Sequence, residues 1–116
     1  MPKTDPELDA TKQRQVAVAL FNRAWSLLEL ESRTEEQVDE LVHAAHASAY
    51  HWMMVGTSLN RARGEWQCSR VYAVLGRPEP ATWHAQRSLS ICERADIEDF
   101  DRAVLLHDLE TVSTTG

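Results

Sequence analysis

His43 and His46 stand three residues apart in a stretch of helical character, so their imidazoles can approach one another on one helix face. Such a pair plus a third ligand is a minimal site for zinc or iron, and Glu65, His84 and His107 are the candidate third ligands. The same histidine face also suits hydrogen bonding. His46 and Tyr50 are four apart, and Arg63, Glu65 or Arg70 on the following helix can reach them. Packed inside an interface, these groups satisfy one another. Lining a pocket, His46 and Tyr50 would bind a polar ligand while Arg63 and Arg70 held its acidic group. His51 projects away from the His43 and His46 face.

Other chemistry finds little support. There is no HExxH, no CxxC, no glycine-rich phosphate loop and no serine in a nucleophile elbow. No pair of carboxylates has a spacing suited to acid–base work. Cys68 and Cys92 occupy apolar positions on different predicted helices and read as buried free thiols. The chain therefore reads as non-enzymatic and without a cofactor.

Charge points toward binding. The net charge is −6, distributed unevenly. Residues 1–57 carry −4, residues 58–94 carry +3 and residues 95–116 carry −5. A basic middle attracts acidic groups from a partner, from the chain's own ends or from a second subunit. The overall acidity argues against nucleic acid. Ten of the twelve basic residues are arginine, which favours planar, bidentate contacts. Arg63, Gln67 and Arg70 fall on one face at steps of four and three. Trp83 lies opposite the small residues of its helix, beside Arg87 and Arg94, as a binding anchor does. Trp25, Trp52 and Trp66 adjoin apolar stripes and read as packing residues.

The elements that must position these groups are helices. The chain has 116 residues, enough for one domain with one core. Apolar residues recur at steps of three and four, and the expected class is all-α with about five helices and no strands. The first is expected over about Leu8–Glu31, with Val16, Leu20, Phe21, Ala24, Leu27 and Leu28 on its apolar face. Thr34-Glu35-Glu36-Gln37 reads as a capping box opening a second helix that runs to Val55 and stops at Gly56. That helix has two non-polar faces, one with Val38, Leu41, Val42, Ala45, Ala49, Trp52 and Met53, the other with His43, His46, Tyr50 and Met54.

The third helix is expected from Leu59 or Asn60 to Leu75. Gly64 within it implies either a later start or a neighbouring helix passing close. Gly76-Arg77-Pro78 turns the chain into a fourth helix from about Glu79 to Ala95. Asp96 or Asp99 can cap a fifth, from about Phe100 to Val112. Residues 1–7 read as disordered, 8–112 as a single domain and 113–116 as a frayed tail. No apolar run is long enough to span a bilayer and the N-terminus has no signal-peptide core, so a cytoplasmic protein is expected.

The third and fourth helices resemble a tetratricopeptide repeat. Tyr72 and Gly76 match the Tyr-x-x-x-Gly that ends the motif's first helix. Cys68 and Ser69 supply its hydrophobic–small pair, and Ala81, Ser88 and Leu89 follow in its second helix. Glu65 and Ala85 depart from the motif at its two aromatic positions. The block HAAHASAYHW, RGEWQCSRVYAVLGR, HAQRSL and DFD, about His43 to Ala103, is also similar to bacterial proteins with tetratricopeptide-like folds and no assigned activity. The resemblance implies antiparallel hairpins stacked as a protein-binding scaffold. An incomplete last repeat implies a homodimer covering it, with Phe100, Val104 and Leu105 as contacts.

Overall fold

A computed structural model describes residues 9–96 of the chain. Among the described residues there are four helices and no strand: α1 (Ala10–Leu28), α2 (Glu35–Val55), α3 (Ser58–Val74) and α4 (Pro78–Ala95). The expected fifth helix, with Phe100, Val104, Leu105 and His107, lies outside the described residues, as do the segments expected to be disordered or frayed. No helix among the described residues is long and apolar enough to cross a membrane.

Local chemistry fixes each helix end. The Asp9 carboxylate accepts from the Lys12 backbone amide and starts α1. At the other end α1 stops at Leu28, short of the expected Glu31. Arg33 folds back and donates to the carbonyls of Leu27, Leu28 and Leu30, taking up groups the helix leaves unpaired. Thr34 and Gln37 form the expected capping box. α3 starts earlier than expected because Thr57 and Asn60 form a second capping box.

Gly56 and Gly64 are both explained by close neighbours. A Cβ on Gly56 would lie 2.7 Å from the Trp52 carbonyl oxygen and 2.9 Å from the Asn60 Cβ. Gly64 is buried where α2 passes. A Cβ there would meet the Ala49 Cα at 3.2 Å and its Cβ at 3.4 Å, so close helix approach accounts for the glycine. Gly76 has φ +75°, the left-handed conformation glycine tolerates. Its N–H donates to Ala73 and that of Arg77 to Tyr72, which completes a Schellman turn. Asp96 is also left-handed, at φ 55° and ψ 48°, and ends α4. It does not have the extended backbone of an N-cap for a following helix.

α1 packs along α2 and α3 along α4, while α3 also lies against α2 and touches α1. The larger core cluster joins Ala24 and Leu27 of α1, Leu41, Ala44 and Ala45 of α2, and Cys68 and Val71 of α3. A smaller one joins Ala62, Trp66, Ile91 and Cys92. Both cysteines are buried thiols outside any disulfide among the described residues, as expected. Trp52 is buried, and Trp25 and Trp66 pack tilted at 5.7 Å across α1 and α3. Buried hydroxyls tie helix pairs together. Ser48 donates to the Ala17 carbonyl, Ser69 to Ala81 and Ser88 to Ala62. Each buried polar atom thereby gains a partner without breaking the helix that accepts it.

Candidate functional site

α3 brings a polar cluster together between α2 and α4. Its residues Glu65, Cys68 and Tyr72, at steps of three and four, meet His46 of α2 and His84 of α4. The His46 Nε2 and Tyr72 hydroxyl are 2.8 Å apart. The His84 Nδ1 is 2.7 Å from the Glu65 carboxylate. The two imidazoles meet edge to face at 5.3 Å, and His84 stacks on Tyr72 at 5.8 Å with 9° between their planes. Arg77, in the turn before α4, places its guanidinium 5.7 Å from the Tyr72 ring centre.

One proton assignment satisfies the whole network around His46, and it is inferred from the partners. The Tyr72 hydroxyl donates to Nε2, Nδ1–H faces the Cys68 sulfur at 3.9 Å, and the thiol donates to the Ala45 carbonyl at 3.7 Å. Burial pushes the His46 imidazole below its ordinary pKa. His84 adds to this, Glu65 opposes it and His43 contributes in the same direction as His84. Burial, with Glu65 beside it, pushes the Cys68 thiol up to about 12. Cys68 is therefore a protonated packing group with no nucleophilic character at neutral pH.

Arg63, Glu65 or Arg70 were expected to satisfy both His46 and Tyr50; instead Tyr72 meets His46, and Tyr50 faces outward. Tyr50 is 53% exposed and sets its ring edge against His51 at 5.6 Å. The second non-polar face expected on α2 is likewise largely uncovered, since His43, Tyr50 and Met54 are exposed and only His46 is drawn inward. His43 stays exposed while His46 turns inward. Among the described residues no group of three His, Cys, Asp or Glu side chains is placed to hold a metal ion. Glu65, grouped with the polar pocket, is engaged by His84. His51 is half-buried with its Nδ1 3.1 Å from the Gln13 side-chain oxygen.

The face bearing Arg63, Gln67 and Arg70 is split by packing. Gln67 is fully buried and donates through Nε2 to the Phe21 carbonyl of α1, while its Oε1 has no partner among the described residues. It does not belong to an outer contact surface. Arg63 is exposed and borders a depression of about 150 Å³ with Val18, Phe21, Trp52 and Asn60. Arg70 is half-buried, and both arginines have interaction partners.

Trp83 stands where the sequence places it, on the outer side of α4 and 58% exposed. Arg87 holds its guanidinium 5.4 Å from the indole centre. On one side of the ring a depression of about 220 Å³ is lined by Gln86, Arg87, Ser90 and Arg94. On the other, about 390 Å³ is bordered by Glu79, Pro80, Thr82 and Gln86. Arg94 makes no ion pair among the described residues. Aromatic surface and cationic groups therefore lie together at the surface, which is suited to acidic groups next to apolar ones.

Tyr72 is the site residue that sequence reasoning placed only as a repeat-motif tyrosine. Its signal was the Tyr-x-x-x-Gly spacing, which locates it on the last turn of α3 beside the turn into α4. No family model matches the chain, and no curated protein or solved structure is significantly similar to it.

Proposed function

We propose that the protein is a non-enzymatic protein-interaction module of tetratricopeptide-like architecture, acting as a homodimer through the outer face of α4. The observation that carries this reading is Trp83, 58% exposed beneath the Arg87 guanidinium and one face away from the core. An indole left in water at a helix surface gains most from burial against a partner. The hairpin geometry supports the scaffold. The Ser48–Ala17 bond of the first hairpin has its counterpart in the Ser88–Ala62 bond of the second, and α3 lies against both helices of the preceding hairpin.

Charge complementarity favours a second copy as partner. Arg87 and Arg94 flank the indole, while Glu35, Glu36 and Asp39 at the start of α2 are exposed and make no ion pair among the described residues. Two-fold pairing would form both contacts twice.

Light scattering after size exclusion tests this. The wild type should be a dimer at micromolar concentration in 0.1 M salt and dissociate as salt rises. Trp83→Ala and the double variant R87E/R94E should be monomers. Mixing R87E/R94E with E35R/E36R should restore a mixed dimer. A monomeric wild type, or a dimer untouched by all these changes, would overturn the assignment. Two further readings, a metal-binding protein at His43 and His46 and a binder of a small acidic metabolite, have no comparable geometric support.

A further inference from the structure

We propose that His46, Tyr72 and His84 form a pH-sensitive latch that holds α2 to α4 across α3 and releases when the His46 imidazole takes up a proton. No Cα of α2 lies within 8 Å of a Cα of α4. The two helices are bridged by side chains, and the bridge runs through rings. His46 of α2 meets His84 of α4 at 5.3 Å, and Tyr72 of α3 contacts both, by hydrogen bond to one and by stacking on the other.

This bridge works only while His46 is neutral. In the neutral ring Nε2 accepts from the Tyr72 hydroxyl. In the imidazolium both nitrogens are donors, so the hydroxyl must turn and give up its donation. The charged ring would also be half-buried against a second imidazole. The groups that face it are few. His43 is one turn earlier on α2, Glu65, Cys68 and Tyr72 come from α3, and His84 comes from α4 with Arg77 above the Tyr72 ring. Of these Glu65 is the single carboxylate, and it is already bonded to the His84 Nδ1. One anion thus serves His46, His84 and the Arg77 cation, with the His43 imidazole also acting on His46. A proton added to His46 is accommodated when α2 and α4 separate and water reaches its ring.

The direction is fixed by linkage. Burial holds the His46 pKa below its unfolded value, so its contribution is fully present above the unfolded value of about 6.5 and is lost as pH falls through the folded value. Because α4 also carries Trp83, opening the latch moves the surface proposed above. The latch itself does not depend on that proposal, and neither does its test.

The test compares the full chain with His46→Gln, which keeps a hydrogen-bonding group near Tyr72 and cannot titrate. Urea unfolding is measured from pH 8 to pH 5. The wild-type folding constant should fall by up to about tenfold more per pH unit than that of the variant once pH drops below 6.5. Hydrogen-exchange protection factors should drop first in α4 in the wild type, with α1 retained. Parallel pH profiles for the two proteins, or uniform loss of protection, would overturn the latch. If His46→Gln does not fold, NMR titration of the wild-type His46 ring decides. A depressed pKa with coincident shifts in α2 and α4 amides supports the proposal. Titration at an ordinary pKa without those shifts refutes it.

Discussion

Gly64→Ala is a sensitive probe of how α2 and α3 meet, because two opposing effects of similar size act at one atom. In an isolated helix this change stabilises by about 1 kcal/mol through helix propensity. Here the new methyl would sit 3.2 Å from the Ala49 Cα and 3.4 Å from its Cβ, with the Trp52 Cδ1 at 3.6 Å. The nearest atom is backbone, so no side-chain rotation relieves the contact. Ordinary carbon separations of about 3.5–4.0 Å require α2 to shift by about 0.3–0.8 Å along that line. The seam that must give includes Leu41 and Ala45 opposite Cys68 and Val71, all buried. Overpacking of this kind costs about 1–3 kcal/mol, so the net expectation is a loss of about 0–2 kcal/mol. Gly64→Val adds two further carbons and should lose at least about 3 kcal/mol. Urea unfolding of the single variants and of the A49G/G64A double variant measures this. Ala49→Gly removes the 3.4 Å contact, so the double variant should be more stable than the sum of the two single changes predicts. A stabilisation of about 1 kcal/mol in Gly64→Ala alone would show that propensity acts unopposed, and the close approach would be refuted.

Four further outcomes are expected. Ser48→Ala and Ser88→Ala should each lose about 1 kcal/mol in urea unfolding, and strongly unequal losses would separate the two hairpins structurally. Gln67→Met relieves the unpartnered Oε1 at the expense of one bond to Phe21 and should stay within about 1 kcal/mol of wild type, whereas Gln67→Ala leaves a cavity and should lose about 2–3 kcal/mol. Equal losses would mean that the carbonyl is satisfied in solution. Arg33→Ala frees three carbonyls at the end of α1 and should lose about 1–2 kcal/mol, with Arg33→Lys recovering only part; thermal unfolding of both variants reads this. With its pKa raised to about 12, Cys68 should resist a thiol reagent at pH 8 in the folded protein and react on denaturation. Rapid native labelling, located by mass spectrometry, would show that the site opens.

Much of the fold was legible because its signals are local. Thr34 and Gln37 sit three residues apart and make one capping box wherever α2 packs. Gly76 is the left-handed stop its spacing from Tyr72 implies. The second box was not read, because Asn60 replaces the longer Glu or Gln usual at that position. The candidate site was less legible because its contacts are tertiary. Tyr50 was placed with His46 on one buried face from helical spacing, yet a neighbour on the helix surface can stay in solvent while a tyrosine 26 residues away arrives by packing. Gln67 was read as part of a polar stripe with Arg63 and Arg70. α3 contacts three other helices, so little of its circumference remains for solvent, and a polar residue in the stripe was buried.

The two hairpins can be put in register by one hydrogen bond in each even though their sequences differ. Ser88 follows Ser48 by 40 positions, and Ala62 follows Ala17 by 45. The five-residue difference is shared between the connections and the start of α2, which begins further ahead of Ser48 than α4 does of Ser88. α1 and α2 are joined by a longer segment that Arg33 organises, α3 and α4 by the short Gly76 turn. With that register Ala24 corresponds to Ser69, Leu27 to Tyr72, and His43 to Trp83. Small residues persist where helices cross closely, because a larger side chain would force them apart. Outward positions are under no such constraint. Leucine at position 27 fills the core, whereas tyrosine at position 72 turns its hydroxyl to His46. The exposed position that carries histidine in the first hairpin carries the indole in the second. Unlike outer residues thus let Tyr72 and His84 of the second hairpin meet His46 of the first, while Trp83 stays on the outer face of α4.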